Sequence, residues 1–510
     1  MGHTGFFVGV DCGSQGTKAV VVDGGDGGVV GSGYVGYGLI EGLPPGHREQ
    51  HPSTWVGAMT GAVRDALCEA KIKGRVEGIG VSGQQHGFVP MDARGDVIRP
   101  AKLWNDTSTA EECRWLIERL GGVREVVKLT GNTILPGFTA GKILWMKRHE
   151  PDNYARLATV LLPHDYLNHW LTGRVTMEPG DASGTALMDV KTRRWRREVV
   201  EAIDPELVGK LPEIRPSSEP SGTLRRGAAQ LLGLPEGVLV SAGGGDNMMG
   251  AIGTGNVASG VVTVSLGTSG TIYACSDTPV VDPKGEVAAF CDSTGKWLPL
   301  VCTMNVTVAT EMVRDCFGMD HGALGEAAAR VSAGSDGLLL IPFFEGERTP
   351  NCPQGTGVFF GVRPAVFDAP HLARAAMEGV TLGLNYGLNR MRELGLRPRE
   401  IRATGGGAKN AVWRQIVADV FNAPVVCLNQ EEGAAYGAAL QAMWSWENAR
   451  GPAADILEIT QRFLRPVEAT RAVPAAEHVA RYQQLQALFN RLVEDLASAF
   501  TQHRDKVLVG

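Results

Sequence analysis

Residues 240–269 read VSAGGGDNMMGAIGTGNVASGVVTVSLGTS. Two glycine-rich turns bracket a carboxylate, Asp246, and an apolar run over 261–266 that reads as a strand. Gly267, Thr268 and Ser269 end that strand with small residues, which let backbone N–H groups come close to an anion. The stretch reads either as a pair of surface turns or as a phosphate cradle facing a base. Two further turns favour the second reading: DCGSQGTK at 11–18, and Gly405, Gly406 and Gly407. Each leaves a strand, and three such turns fit one nucleotide.

Composition narrows the partner. The formal net charge is −6 with both signs scattered, so there is no basic field for a nucleic-acid backbone or an anionic membrane surface. A small-molecule partner is expected. The nine cysteines are odd in number and form no C-x-x-C pair, which argues against a disulfide framework or a zinc site and for reduced thiols. The first ten residues lack a basic n-region, and no run reaches about 18 apolar residues, so a cytoplasmic location is expected. At 510 residues the chain exceeds one core, and two large domains are expected.

The N-terminal turn joins strands predicted over 6–10 and 19–22. Asp11 stands where strand becomes turn, either capping it locally or orienting magnesium. Gly13, Ser14, Thr17 and Lys18 line the turn and can contact phosphate. A helix opening at Pro52 and a strand over 76–82 give the order strand, helix, strand. The strand ends in Ser82, Gly83, Gln84, Gln85, His86, so hydrogen-bonding side chains stand at a strand's carboxyl end, where open α/β sheets place ligands. His86 is either a core histidine or a ligand to sugar or polyol hydroxyls. Trp104 is either core or an apolar wall for a carbon chain, and Asp106 precedes a predicted S-x-x-E capping box at Ser108 and Glu111. Thr139 is a predicted helix cap, and Asp165 the predicted N-cap of a helix stopped by Gly173. The polar turn at 181–185 shows no chemistry. After 261–266, a second strand over 270–274 loosely repeats the N-terminal layout, which suggests a duplicated α/β architecture. Gly406, Gly407 and Asn410 lie between a strand at 401–403 and a helix at 412–421, either a tight connection or a surface for a base or ribose.

Taken together, VGVDCGSQGTK, VSGQQHG, LWNDTS, LPGFTAGKILW, LLPHDYL, AGGGDNMMG, VSLGTSG, EGERTP and TGGGAKNAVWRQIVADV, spanning about residues 6–440, resemble the FGGY carbohydrate kinases, and within them the kinases of D-xylulose. The resemblance implies two ribonuclease-H-like lobes of the actin and sugar-kinase type with an active-site cleft between them. Residues 1–248 would form the N-terminal lobe, with the sugar site and first phosphate loop, and 249–510 the ATP-binding lobe. It implies ATP and Mg2+ as cofactors and D-xylulose or a related ketose as acceptor, with no nucleic acid or membrane partner; a homodimer is compatible with it. Asp246 would be the general base and Asp11 the magnesium and phosphate residue. Gln85, His86, Trp104 and Asn247 would meet the sugar, Gly267, Thr268 and Ser269 the phosphates, and Gly406, Gly407 and Asn410 the adenosine. Two departures bear on the expectation. Gln85 stands where methionine is expected in the xylulose branch, and Cys12 and Gln15 vary the first phosphate loop. A kinase for another ketose or polyol, such as ribulose, and an actin-like or chaperone-like conformational ATPase are the alternatives.

Overall fold

The computed structural model describes residues 5–72, 76–431, 433–451 and 453–508. The chain forms two compact units, one of Met1–Ala258, Cys275–Pro299 and Glu432–Leu464, the other of Ser259–Ala274, Leu300–Glu431 and Arg465–Gly510.

In the first unit, Phe6–Cys12 and Gly16–Asp23 form an antiparallel hairpin, extended by Val29–Gly36. Val76–Gly83 joins the other side of Phe6–Cys12 in parallel, and Leu239–Val240 lies beside it, again parallel. The sequence supports this arrangement: Phe7, Val8, Val10, Val20, Val21, Val22, Ile79 and Val81 are completely buried, as β-branched and aromatic residues are in a sheet covered on both faces. Helix Pro52–Ala70 packs Trp55, Met59, Ala62 and Val63 into one shared core with Val8, Val10 and Val81. Helix Gly433–Asn448 lies so close to the sheet that a Cβ on Gly9 would stand 1.9 Å from the Ala435 carbonyl oxygen, and one on Gly80 2.1 Å from that of Ala438.

The second unit repeats the plan. Val261–Leu266 and Gly270–Ala274 are an antiparallel hairpin, Trp297–Thr303 extends it, and Glu400–Thr404 and then Val425–Val426 add in parallel on the other side. The five strands named in each sheet therefore stand in the same order, third, second, first, fourth, fifth, with further short strands at the margins. The duplication expected from two similar hairpins extends to five strands. The 25-residue helix Ala369–Glu393 covers this unit's core with Leu372, Met377, Val380, Leu384 and Leu388.

Three helix starts differ from expectation. The helix after residue 108 spans Ala110–Arg119 with Thr109 at its N-cap, and no capping box forms. Ser108 instead donates to Asp106 at 2.5 Å and accepts from Lys102 at 2.8 Å, because a buried ammonium and a carboxylate outcompete a backbone N–H. Thr139 is the first residue of Thr139–His149, not its cap, and its hydroxyl donates to the His86 carbonyl. Asp165 lies in the first turn of Pro163–Thr172, where its Oδ2 accepts from the Leu162 N–H, while Gly173 ends the helix at φ 77° as expected. Among the described residues no helix is long and apolar enough to cross a membrane.

Candidate active site

Three parallel segments of the first unit end side by side. Asp11 pairs with Ser82 and Cys12 with Gly83, while Gly244 and Gly245 pair with Ser82 and Gly83 from the opposite flank. The residues that follow, Gly13, Gln84 with Gln85, and Asp246, therefore emerge together at the carboxyl ends of the strands. This register brings Asp11, Gln85, Asp246 and Asn247 together across more than 230 residues of chain.

Asp246 opens helix Asp246–Gly253. Its Oδ1 accepts from the Asn247 N–H at 2.7 Å and from Asn247 Nδ2 at 2.9 Å. Asn247 Nδ2 also donates to Gln85 Oε1 at 2.9 Å, so Gln85, Asn247 and Asp246 form one chain. Asp246 Oδ2 has no hydrogen bond among the described residues. Crowding by protein atoms, then the charge of Asp11, raise the Asp246 carboxyl to about 7 against the lowering effect of the Asn247 N–H. A carboxylate at that value is suited to accept a proton near neutral pH. Asp11 accepts from Ser82 Oγ at 2.7 Å. The Asp11 carboxylate, oriented by Ser82, fits a magnesium ion in the chemistry of its donors, since it offers the hard oxygen ligands that ion takes.

His86 adopts the left-handed conformation, at φ 64°. Its carbonyl accepts from Thr139 Oγ1 at 3.1 Å and from the buried Lys142 ammonium at 2.6 Å. Its ring lies 4.6 Å from that of Phe138 and 5.6 Å from that of Phe290. Gly184 backs it so closely that a Cβ there would stand 2.2 Å from His86 Nδ1. Such a strained, clamped residue is characteristic of a binding site. Trp104 is half-buried after strand Ala101–Lys102, and the bridge between Phe88 and Lys102 lays this segment beside 85–88.

Sequence reading missed the floor of the site. Fully buried His164 holds Asp181 Oδ2 at 2.7 Å through Nδ1, and its Nε2 lies 3.1 Å from Asp165 Oδ1. Burial works against a charge on His164, but the carboxylates of Asp165 and Asp181 outweigh it and raise the ring above the ordinary histidine range. Asp181 belongs to the turn that showed no chemistry, and its charge also raises Asp246. Only the crowding of chemical residues in PHD and DASGT hinted at this cluster. A second group, His47, Glu49 and Asp106, has the spacing of metal ligands. The Lys102 ammonium sits among them, 3.1 Å from Glu49 and 3.2 Å from each of the others, and fills the place of an ion.

The turn 13–16 has its carbonyls tied in, and the N–H groups of Ser14 and Gln15 have no acceptor among the described residues. Thr17 is completely buried with its hydroxyl on Tyr37, so it offers a ligand no side chain, and Lys18 lies opposite Asp11 in the hairpin. In the second unit, Gly267 and Thr268 likewise spend their carbonyls on the N–H groups of Thr307 and Val306, each at 3.0 Å. Ser269 follows half-buried. Parallel pairing of Ser265 with Thr404 sets Gly405 against Leu266, where a Cβ would stand 2.7 Å from the Leu266 oxygen. Gly406 and Gly407 form a short 3-10 turn, and Asn410 caps Ala411–Phe421 by accepting from the N–H groups of Val412 and Trp413. Its oxygen is thereby committed to the helix.

A two-unit α/β protein with duplicated sheets, a carboxylate at the strand ends and glycine turns of this kind has the fold and site of a sugar kinase of the actin type. Residues 6–253 match the N-terminal domain and residues 262–446 the C-terminal domain of the FGGY family of carbohydrate kinases, and the chain belongs to that family. It is an ATP-dependent sugar kinase. It is 43% identical over 484 residues to the xylulose kinase of Haemophilus influenzae, covering 94% of this chain and 97% of that one. It is 38% identical over 468 residues to the xylulose kinase of Streptomyces coelicolor, covering 88% and 92%. The crystal structure of a xyloylose kinase from Brucella ovis aligns with TM-score 0.88 at 31% identity, over 97% of this chain and all of that one.

Proposed function

We propose that this chain transfers the terminal phosphoryl group of ATP to D-xylulose, giving D-xylulose 5-phosphate and ADP, with Asp246 as general base. The sugar hydroxyl gives its proton to Asp246 Oδ2 as its oxygen bonds to the terminal phosphorus, and the bond from that phosphorus to the ADP oxygen breaks. Asn247 fixes the carboxylate's other oxygen, and Gln85, His86 and Trp104 orient the sugar. Gly13, Ser14 and Lys18, and in the second unit Gly267, Thr268 and Ser269, bind phosphates; Gly406, Gly407 and Asn410 take the adenosine. This follows the division of labour expected of residues 1–248 and 249–510. Asp11 would hold magnesium, which when bound neutralises charge on the phosphates. Phosphoryl transfer needs positioning and charge compensation more than covalent chemistry, so these parts suffice.

The observation that carries the reading is the Gln85, Asn247, Asp246 chain beside the clamped His86, with the Asp246 carboxyl at about 7. The named relatives support D-xylulose as acceptor. One feature bears on the choice among ketoses and polyols: Gln85 is 5% exposed, and its Nε2 has no acceptor among the described residues. That donor would select a substrate with an oxygen at this point.

ADP release measured over a panel of pentuloses, hexuloses and polyols tests the reading. D-xylulose is expected to give the highest kcat/KM, by about tenfold or more, the discrimination one well-used hydrogen bond provides. A higher value for another acceptor would reassign the substrate, and release equally fast without any sugar would overturn the reaction.

A further inference from the structure

The carbonyls of the first phosphate turn are held largely by groups outside it. Every carbonyl from Cys12 to Gly16 accepts a hydrogen bond within the protein. Gln84 N–H takes Cys12, Tyr37 Oη takes Gly13 at 2.7 Å, and Gln50 Nε2 takes Ser14 at 2.7 Å. The Tyr37 N–H and Tyr34 Oη take Gln15, and the Gly13 N–H takes Gly16. The N–H groups of Ser14 and Gln15 have no acceptor among the described residues. A turn so arranged offers donors alone, which is what an anion requires.

The orientation of Gln50 is itself determined. The Trp55 indole can only donate, and it donates to Gln50 Oε1 at 2.8 Å, joined there by Gln84 Nε2 at 3.1 Å. Nε2 must then face the carbonyls of Ser14 and Gly38. All four hydrogen-bonding positions of this carboxamide, 1% exposed, are used. Gln84 is equally buried and also directs Nε2 toward Gly13 at 3.4 Å. Tyr37, having given its proton to Gly13, is left to accept from Thr17 at 3.1 Å.

We propose that Tyr37, Gln50 and Gln84 are positioning residues for the ATP phosphates, acting by holding the carbonyls of Gly13 and Ser14 away from them. This rests on the reading of 13–16 as a phosphate turn. Without a partner, a carbonyl swings outward and sets its negative end against the phosphates. The effect is felt by the nucleotide and not by the sugar, which distinguishes it from a loss of general stability.

The test measures KM for ATP, KM for D-xylulose and kcat for Tyr37→Phe, Gln50→Glu and Ser14→Asp, with ADP affinity measured without sugar. Tyr37→Phe is expected to raise KM for ATP and weaken ADP binding about three- to tenfold, the range of one hydrogen bond, while KM for D-xylulose stays within about twofold. Gln50→Glu, which sets a carboxylate against two carbonyls, is expected to do so more strongly. Should that variant not fold, Tyr37→Phe alone decides. Ser14→Asp puts a negative charge in the turn itself and is expected to raise KM for ATP. If it does and the other two change both KM values equally or neither, the positioning role is overturned and the phosphate turn stands. If Ser14→Asp leaves KM for ATP unchanged, the phosphate turn is overturned and the positioning role with it.

Discussion

Asp246 is acidic by sequence and close to neutral by environment. Its raised value comes first from crowding by protein and second from Asp11, and both penalise the ionised form that the proposed role as base requires. The sign of the pH dependence follows. As pH falls through about 7 the carboxylate of the free enzyme takes up a proton and the base is lost, so kcat/KM for the sugar is expected to fall about tenfold per pH unit below that point. Asn247→Leu removes a side-chain donor that favours the ionised form, so it is expected to move this limb to higher pH. A rate profile between pH 5 and 9 checks both; a limb near 4, the ordinary aspartate range, would contradict the environment described for Asp246. Cys12, directly after Asp11, takes no part: burial pushes its thiol up to about 12, so it is not a nucleophile at neutral pH.

The element that positions Asp246 is the short helix it opens, and that helix is fixed by its crossing with Gly433–Asn448. A Cβ on Gly253 would stand 1.8 Å from the Gly433 carbonyl oxygen, and one on Gly437 1.8 Å from that of Met249. Two backbones touch here, so Gly437→Ala is expected to destabilise the protein by about 1 to 3 kcal/mol and to lower kcat by displacing Asp246. Gly57, exposed on Pro52–Ala70 with nothing within 4 Å of a Cβ, provides the opposite sign: Gly57→Ala is expected to stabilise by about 0.5 to 1 kcal/mol. Thermal unfolding of the two variants checks the contrast. Elements of this kind were legible in sequence where the signal is local. The hairpin at 6–22, the helix from Pro52 and the strand over 76–82 all follow from apolar runs and the turns between them. Residues whose partners lie far along the chain were not. Thr139 is drawn from capping by a carbonyl 53 residues earlier, and Ser108 by the Lys102 and Asp106 pair. His164 is recognisable as part of a buried charge cluster only once Asp181 is folded against it.

At the scale of the molecule, one strand order is used twice, and each unit places a carbonyl-bound turn after the first strand of its sheet. The family resemblance, carried by motifs spread over most of the chain, was therefore legible before the topology that explains it: nearly every motif marks the end of a strand or the start of a helix. Charge and hydropathy set the class of partner, since a net charge of −6 without a basic field leaves small polar molecules as the expected ligands. The central claim is that all this scaffolding presents one ionisable carboxylate to one sugar hydroxyl. Its most direct test is single-turnover phosphorylation of D-xylulose by Asp246→Asn, which keeps the shape of the site and removes the base. The rate is expected to fall by about 10² to 10⁴-fold with D-xylulose and ATP still bound. A variant that phosphorylates the sugar within about threefold of the wild-type rate would contradict the assignment of the base.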